Sequence, residues 1–176
     1  MRHVILFNGG IGSTVLLAKM IEEYGRDNIL AVWVNYGQRT AERERESIVA
    51  LREYYDVVTE IVVIMPPIER FVPGVLMAIG IDRAMPDGKV YVGCYGDGKA
   101  YSDVAREVFR TTVETPLSGM SAVDVVRLGQ QLNVPFELTY SCEKGWDVHC
   151  GRCSSCLRRK EAFERAQIED VVEFDV

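Results

Sequence analysis

The sequence predicts an α/β protein: a parallel sheet with helices on both faces, ending in a small metal-binding segment. Three observations carry this. Short, continuously apolar runs alternate with helical stretches through residues 1–138, as in strands buried on both faces and joined by crossover helices. The first run ends at once in a glycine pair. Four of the five cysteines fall within residues 142–156.

Taken in order, residues 1–7 form an apolar strand that stops at Asn8-Gly9-Gly10. Residues 13–24 place Leu16, Leu17, Met20 and Ile21 on one helical face. Residues 29–36 (ILAVWVNY) form a second buried strand, residues 40–54 a charged helix, and residues 56–64 a third strand. After Pro66 and Pro67, residues 72–79 are predicted helical, residues 89–94 a fourth strand, and residues 102–109 and 121–132 two further helices. Ser121 and Asp124 have capping-box spacing, with Asp in place of the usual Glu. Composition shifts near Thr139, which divides the chain into an α/β domain, 1–138, and a cysteine-bearing C-terminal segment with a helix, 139–176. A ligand site is expected beyond the C-terminal strand ends, in the loops after Phe7, Tyr36 and Cys94.

Composition bounds the partners. Apolar residues make up 48% and charged residues 26%, enough for a packed core. With 26 acidic against 20 basic residues the net charge is −6, and no basic run stands out. Direct nucleic-acid binding is therefore not expected. No stretch reaches the roughly 18 apolar residues of a membrane helix, and the first apolar run is too short for a signal peptide. A cytoplasmic protein is expected, with a homodimer left open.

The cysteine spacing is Cys142-x7-Cys150-x2-Cys153-x2-Cys156. Two-residue spacers let one tight turn supply two thiolates, and four thiolates fill a zinc tetrahedron. A structural zinc ion is expected, with no open position for water. His149 beside a ligand is expected to hydrogen-bond locally rather than coordinate. Cys94, at a strand end, is expected to be a small buried apolar residue.

Phe7-Asn8-Gly9-Gly10-Ile11-Gly12-Ser13 links a strand to a helix, where backbone N–H groups and a helix N-terminus can cradle an anion. Glycines at such a turn serve close packing equally well. The segments NYGQRT (35–40), TPLSGMSAVDVVRLGQQLNVPFELT (115–139) and YSCEKGWDVHCGRCSSCLRRKEAF (140–163) resemble the QueC family, 7-cyano-7-deazaguanine synthases of the PP-loop ATP pyrophosphatase superfamily. The resemblance implies the PP-loop, or adenine nucleotide alpha hydrolase, type of Rossmann-like fold. It also implies chemistry on 7-carboxy-7-deazaguanine, which the family converts to a nitrile with ATP and ammonia.

The family's phosphate loop reads SGGxDS. Here Gly9, Gly10 and Ser13 are kept, but Asn8 replaces the first serine and Gly12 the aspartate. Thr40 stands at the family's histidine, Val75 and Leu76 at its arginine-asparagine pair, and Ala122 at its lysine. A magnesium triphosphate needs cations and donors to replace its water, so no productive ATP or magnesium binding is expected.

The base-binding segment of the family has an aspartate, then a Tyr-Pro-Asp run. Asp97, Tyr101 and Asp103 fall in register. A carboxylate there can accept from a guanine-like edge, and Tyr95 or Tyr101 can stack on the ring. The same segment also reads as a polar loop with a helix cap at Asp103. Arg39 either holds the substrate carboxylate or lies on the surface at the start of the second helix. The Glu42–Glu46 run is expected to be a solvated face.

With recognition residues kept and ATP residues lost, the chain resembles DpdL-type 7-carboxy-7-deazaguanine decarboxylases of viral DNA-modification pathways. The expected reaction is ATP-independent loss of CO₂, without redox or pyridoxal cofactors and with Asp97 as proton donor. A working synthase and an inactive ligand-binding relative are the alternatives.

Overall fold

The computed structural model describes residues 2–68, 72–96 and 99–175, without the side chains of residues 99–101 and 104. Five parallel strands lie in the order β3-β2-β1-β4-β5. They are β1 (His3–Leu6), β2 (Ile29–Asn35), β3 (Val58–Val63), β4 (Lys89–Val92) and β5 (Val113–Glu114). The helices are α1 (Ile11–Tyr24), α2 (Ala41–Tyr55), α3 (Val72–Ala84), α4 (Lys99–Phe109), α5 (Ala122–Gln131) and α6 (Ser154–Ala166).

Alternation along the strands builds two cores. Ile5, Phe7, Ala31 and Trp33 face one side, under α1, α2, α5 and α6. Val4, Leu30, Val32, Val34 and Val90 face the other, under α3 and α4. Apolar side chains on both faces are why β1 and β2 read as continuous apolar runs. Outer strand β3 is different, with Val58, Ile61 and Val63 exposed.

Differences from expectation are local. α1 begins at Ile11 rather than residue 13, α3 runs on to Ala84, and α4 begins at Lys99. Strand β5 was not expected, because two residues are too few to show a period. The cap at Ser121 is as expected. Its hydroxyl accepts from the Asp124 N–H at 3.2 Å, and its own N–H donates to Asp124 Oδ2 at 3.0 Å.

The cysteine segment is tied to the sheet domain. Ala162, Phe163 and Ala166 of α6 join the first core. Arg159, 2% exposed, donates to both carboxylate oxygens of Asp170, at 2.8 and 2.9 Å, and to the Phe136 carbonyl at 3.0 Å. It also reaches Thr139 Oγ1 at 2.9 Å.

Candidate functional site

The four cysteines converge. The sulfurs of Cys142, Cys150, Cys153 and Cys156 lie within 4.8 Å of one another, and all four side chains are buried. Backbone N–H groups point at three of them: Lys144 and Cys150 at Cys142, Cys153 at Cys150, and Cys156 at Cys153, over 3.3–3.5 Å. Such donors favour thiolates. The N–H of Arg152, foremost, draws Cys150 down to about 6, whereas burial pushes Cys156 up. A bound cation would let all four release their protons together, so this donor set fits one metal ion. His149 is buried and accepts from the Ser141 N–H through Nε2 at 3.0 Å, which agrees with a local role.

The glycine loop follows β1 and leads into α1. Gly9 adopts φ +72°, and a side chain there would meet Ser47 Oγ. The Gly9 carbonyl accepts from Ser47 Oγ at 3.1 Å and from the Tyr140 N–H at 3.0 Å, which pins the loop to α2 and to the cysteine segment. Two of the loop's donors turn inward. Asn8 Oδ1 accepts from the Gly10 N–H at 3.2 Å and from the Ser13 hydroxyl at 2.8 Å. Gly12 lies against the carbonyl oxygen of Gly93 and the ring of Tyr95, which together fill the place of any side chain at that position.

Above the strand ends lies a cavity of about 480 Å³, within the usual range for small-molecule sites. Its walls include Phe7, Tyr36 and Cys94, the ends of the three strands where a ligand site was expected. Asn8, Gly12, Thr40, Leu76 and Ala122, all departures from the family pattern, line it too. Val75 is not among its walls. The cations among its described walls are Arg158 and Arg159, and Arg159 is committed to Asp170. Burial raises the Cys94 thiol above its ordinary range. Burial, then the charge of Glu44, raises the Tyr36 phenol.

Asp97 lies outside the described residues, and Tyr101 is in α4 with its side chain undescribed. Asp103 pairs with Arg106 at 3.8 Å, half-exposed on α4, and does not line the cavity. Arg39 is exposed on a second cavity of about 380 Å³ with Gln38, Thr40, Glu143 and Lys144. Tyr95 lines the main cavity.

One expectation is corrected. The Glu42–Glu46 run is not uniformly solvated: Glu42, Arg45 and Glu46 are exposed, but Glu44 is half-buried and lines the cavity. Its carboxylate accepts from Trp33 Nε1 at 2.8 Å, Gln38 Nε2 at 2.8 Å and Thr40 Oγ1 at 2.6 Å. Glu44 shares a helical face with Ser47, Ile48 and Leu51, which are buried. That periodicity, and the need of a buried Trp33 N–H for an acceptor, were the available signals.

The comparisons agree with this fold. The family described as "Queuosine biosynthesis protein QueC" matches residues 2–93 and 86–167. A 7-cyano-7-deazaguanine synthase of Koribacter versatilis is 30% identical over 221 aligned positions, spanning 98% of this chain and 93% of its own. The enzyme of that name from Methanothermobacter thermautotrophicus is 30% identical and spans 99% of both chains. The 221 positions exceed the 176 residues here, so the first relative carries segments without a counterpart. The overlap of the two family matches puts that break near β4. Among solved structures, an NH3-dependent NAD synthetase of Campylobacter jejuni superposes with TM-score 0.56 at 14% identity, covering 78% of this chain and 66% of its own. The U34-tRNA thiolase NcsA of Methanococcus maripaludis does so with TM-score 0.57 at 15% identity, covering 95% and 65%. Both likenesses concern the fold, which is the PP-loop type of α/β sheet.

Proposed function

Since the chain belongs to the QueC family, we propose that it acts on 7-carboxy-7-deazaguanine and removes the carboxyl group as CO₂ without ATP. The observation that carries this reading is the partly occupied glycine loop. Asn8 takes the loop's Gly10 N–H and Ser13 hydroxyl, and Gly93 fills the space beside Gly12. A triphosphate with magnesium needs those donors, a carboxylate and several cations. Without activation a carboxylate does not accept ammonia, but it can leave. An acid protonates the ring carbon that bears the carboxylate, giving a cation. The C–CO₂ bond then breaks, its electron pair restores the ring, and CO₂ departs. The acid's proton becomes the product's new C–H, and solvent reprotonates the acid, so every atom is accounted for.

The cavity suits such a step, because apolar walls such as Phe7, Val32 and Leu76 would keep water from the cation. Asp97, two residues beyond Tyr95 of the cavity wall, is the proposed donor. Zinc is the proposed metal. A tetrahedral zinc with sulfurs at about 2.3 Å spaces them about 3.8 Å apart, and Cys150 and Cys156 are 3.9 Å apart. The ion would be structural, filled by four thiolates and taking no part in turnover.

A second reading, an ATP-dependent 7-cyano-7-deazaguanine synthase, has its own support in the names of the relatives and in the kept Gly9-Gly10 turn. Incubation with 7-carboxy-7-deazaguanine, with and without ATP and ammonia, separates the two by product mass. 7-Deazaguanine formed without either supports decarboxylation. A nitrile or amide formed only with both supports the synthase.

A further inference from the structure

Glu44 and Glu143 are the carboxylates on the described wall of the main cavity. Glu143 is exposed, with Oε1 taken by Ser154 and Ser155, whereas Glu44 is half-buried and has acceptor capacity to spare. A carboxylate has about four lone-pair directions. Glu44 Oε2 accepts from Trp33 and Gln38, and Oε1 accepts from Thr40 alone. One direction on Oε1 is left.

The three donors fix the group firmly. Trp33 is 2% exposed in β2. Gln38 is itself held, giving its amide to the Val34 carbonyl at 3.2 Å and taking the Tyr36 N–H at 2.9 Å. Thr40 precedes the first turn of α2. A purely structural carboxylate would need to satisfy only the buried indole. Here two half-buried side chains also orient it, in a wall otherwise dominated by apolar groups. Held by three donors, the carboxylate presents its remaining lone pair in a fixed direction.

We propose that Glu44 is a substrate-recognition residue, whose Oε1 accepts an N–H from the guanine-like edge of a 7-deazapurine bound in the cavity. This rests on the reading of the cavity as a 7-deazaguanine site. It makes Glu44 the discriminator between an edge that offers a ring N–H and one that offers a ring lone pair, as guanine-like and adenine-like bases do.

Glu44→Gln tests it. The amide oxygen can stay with Trp33 and Gln38, while the amide N–H₂ replaces Oε1 and turns the exposed acceptor into a donor. Binding is measured by calorimetry with 7-deazaguanine and 7-deazaadenine, both neutral, so that charge repulsion plays no part. The wild type should prefer 7-deazaguanine. The variant should lose at least about tenfold for 7-deazaguanine, the worth of a hydrogen bond to a charged acceptor, and lose nothing for 7-deazaadenine. Glu44→Asp, which withdraws the carboxylate by one methylene, should show the same selective loss and serves if Glu44→Gln does not fold. Equal weakening of both ligands, or no change in either, would mean a structural carboxylate and overturn the proposal. A wild type that binds neither base overturns the reading of the cavity itself, and this inference with it.

Discussion

Gly12 at the start of α1 and Gly93 just after β4 press backbone against backbone, so that a Cβ on Gly93 would lie 2.6 Å from the Gly12 carbonyl oxygen and one on Gly12 would overlap the Gly93 carbonyl. The contact closes the position where the family pattern has an aspartate. In an exposed helix, glycine to alanine stabilises by up to about 1 kcal/mol. Here Gly12→Ala should instead destabilise by about 1–3 kcal/mol, as overpacking does, and Gly12→Asp by more. Thermal melts check the sign. Gly12→Asp should gain no affinity for magnesium-ATP in calorimetry, because the backbone leaves its carboxylate no room.

The cysteine centre should carry about one zinc ion per chain, measured by elemental analysis of freshly purified protein. Replacing Cys150 or Cys156 with serine should release the metal and unfold residues 139–176, because ligation and folding are coupled there. Loss should spread to the main core, since Phe163 of α6 packs edge-on against Phe136 at 4.9 Å. Metal-free protein with four titratable thiols and an unchanged melt would contradict this.

Arg159 is buried among carbonyls and paired with Asp170 through two hydrogen bonds. Removing one partner of a buried pair strands the other, at a cost of about 3–5 kcal/mol. Arg159→Met should fall in that range by chemical denaturation. Arg159→Lys should recover only part of it, because an ammonium cannot reproduce the fork across Asp170 and the Phe136 carbonyl.

His3 stacks on Tyr24 at 3.9 Å, and its Nδ1 lies 3.0 Å from Tyr91 Oη. Burial, foremost, lowers its pKa below the ordinary 6.5. The unfolded chain therefore binds a proton before the folded one does, and stability falls as pH drops below about 6.5. His3→Gln should flatten the stability profile between pH 7 and 5. An unchanged slope would mean that His3 does not titrate differently on folding.

What the sequence revealed follows from how local each feature is. The cysteine cluster and the Ser121 cap are set by spacing within a few residues, and both were legible. β2 was legible because burial on both faces leaves an unbroken apolar run. Gly12 and Gly93 meet across 81 positions of chain, and no local pattern records that approach. Glu44 sat inside a charged run, where its spacing from the buried Ser47, Ile48 and Leu51 was a weak signal that the docking of α2 beside Trp33 makes plain. Arg159 likewise looked like one basic residue among several, until the fold placed Asp170 and the carbonyls of Phe136 and Thr139 around it.

With its glycine loop partly occupied from within, the protein should need neither ATP nor ammonia to remove the carboxyl group. The most direct measurement is release of labelled CO₂ from 7-carboxy-7-deazaguanine carrying the label in its carboxyl carbon, with no ATP and no ammonia present. CO₂ release should keep step with 7-deazaguanine, with a deuterium on the vacated ring carbon when the solvent is heavy water. Retention of the label in a nitrile or amide that appears only when ATP and ammonia are supplied would contradict it.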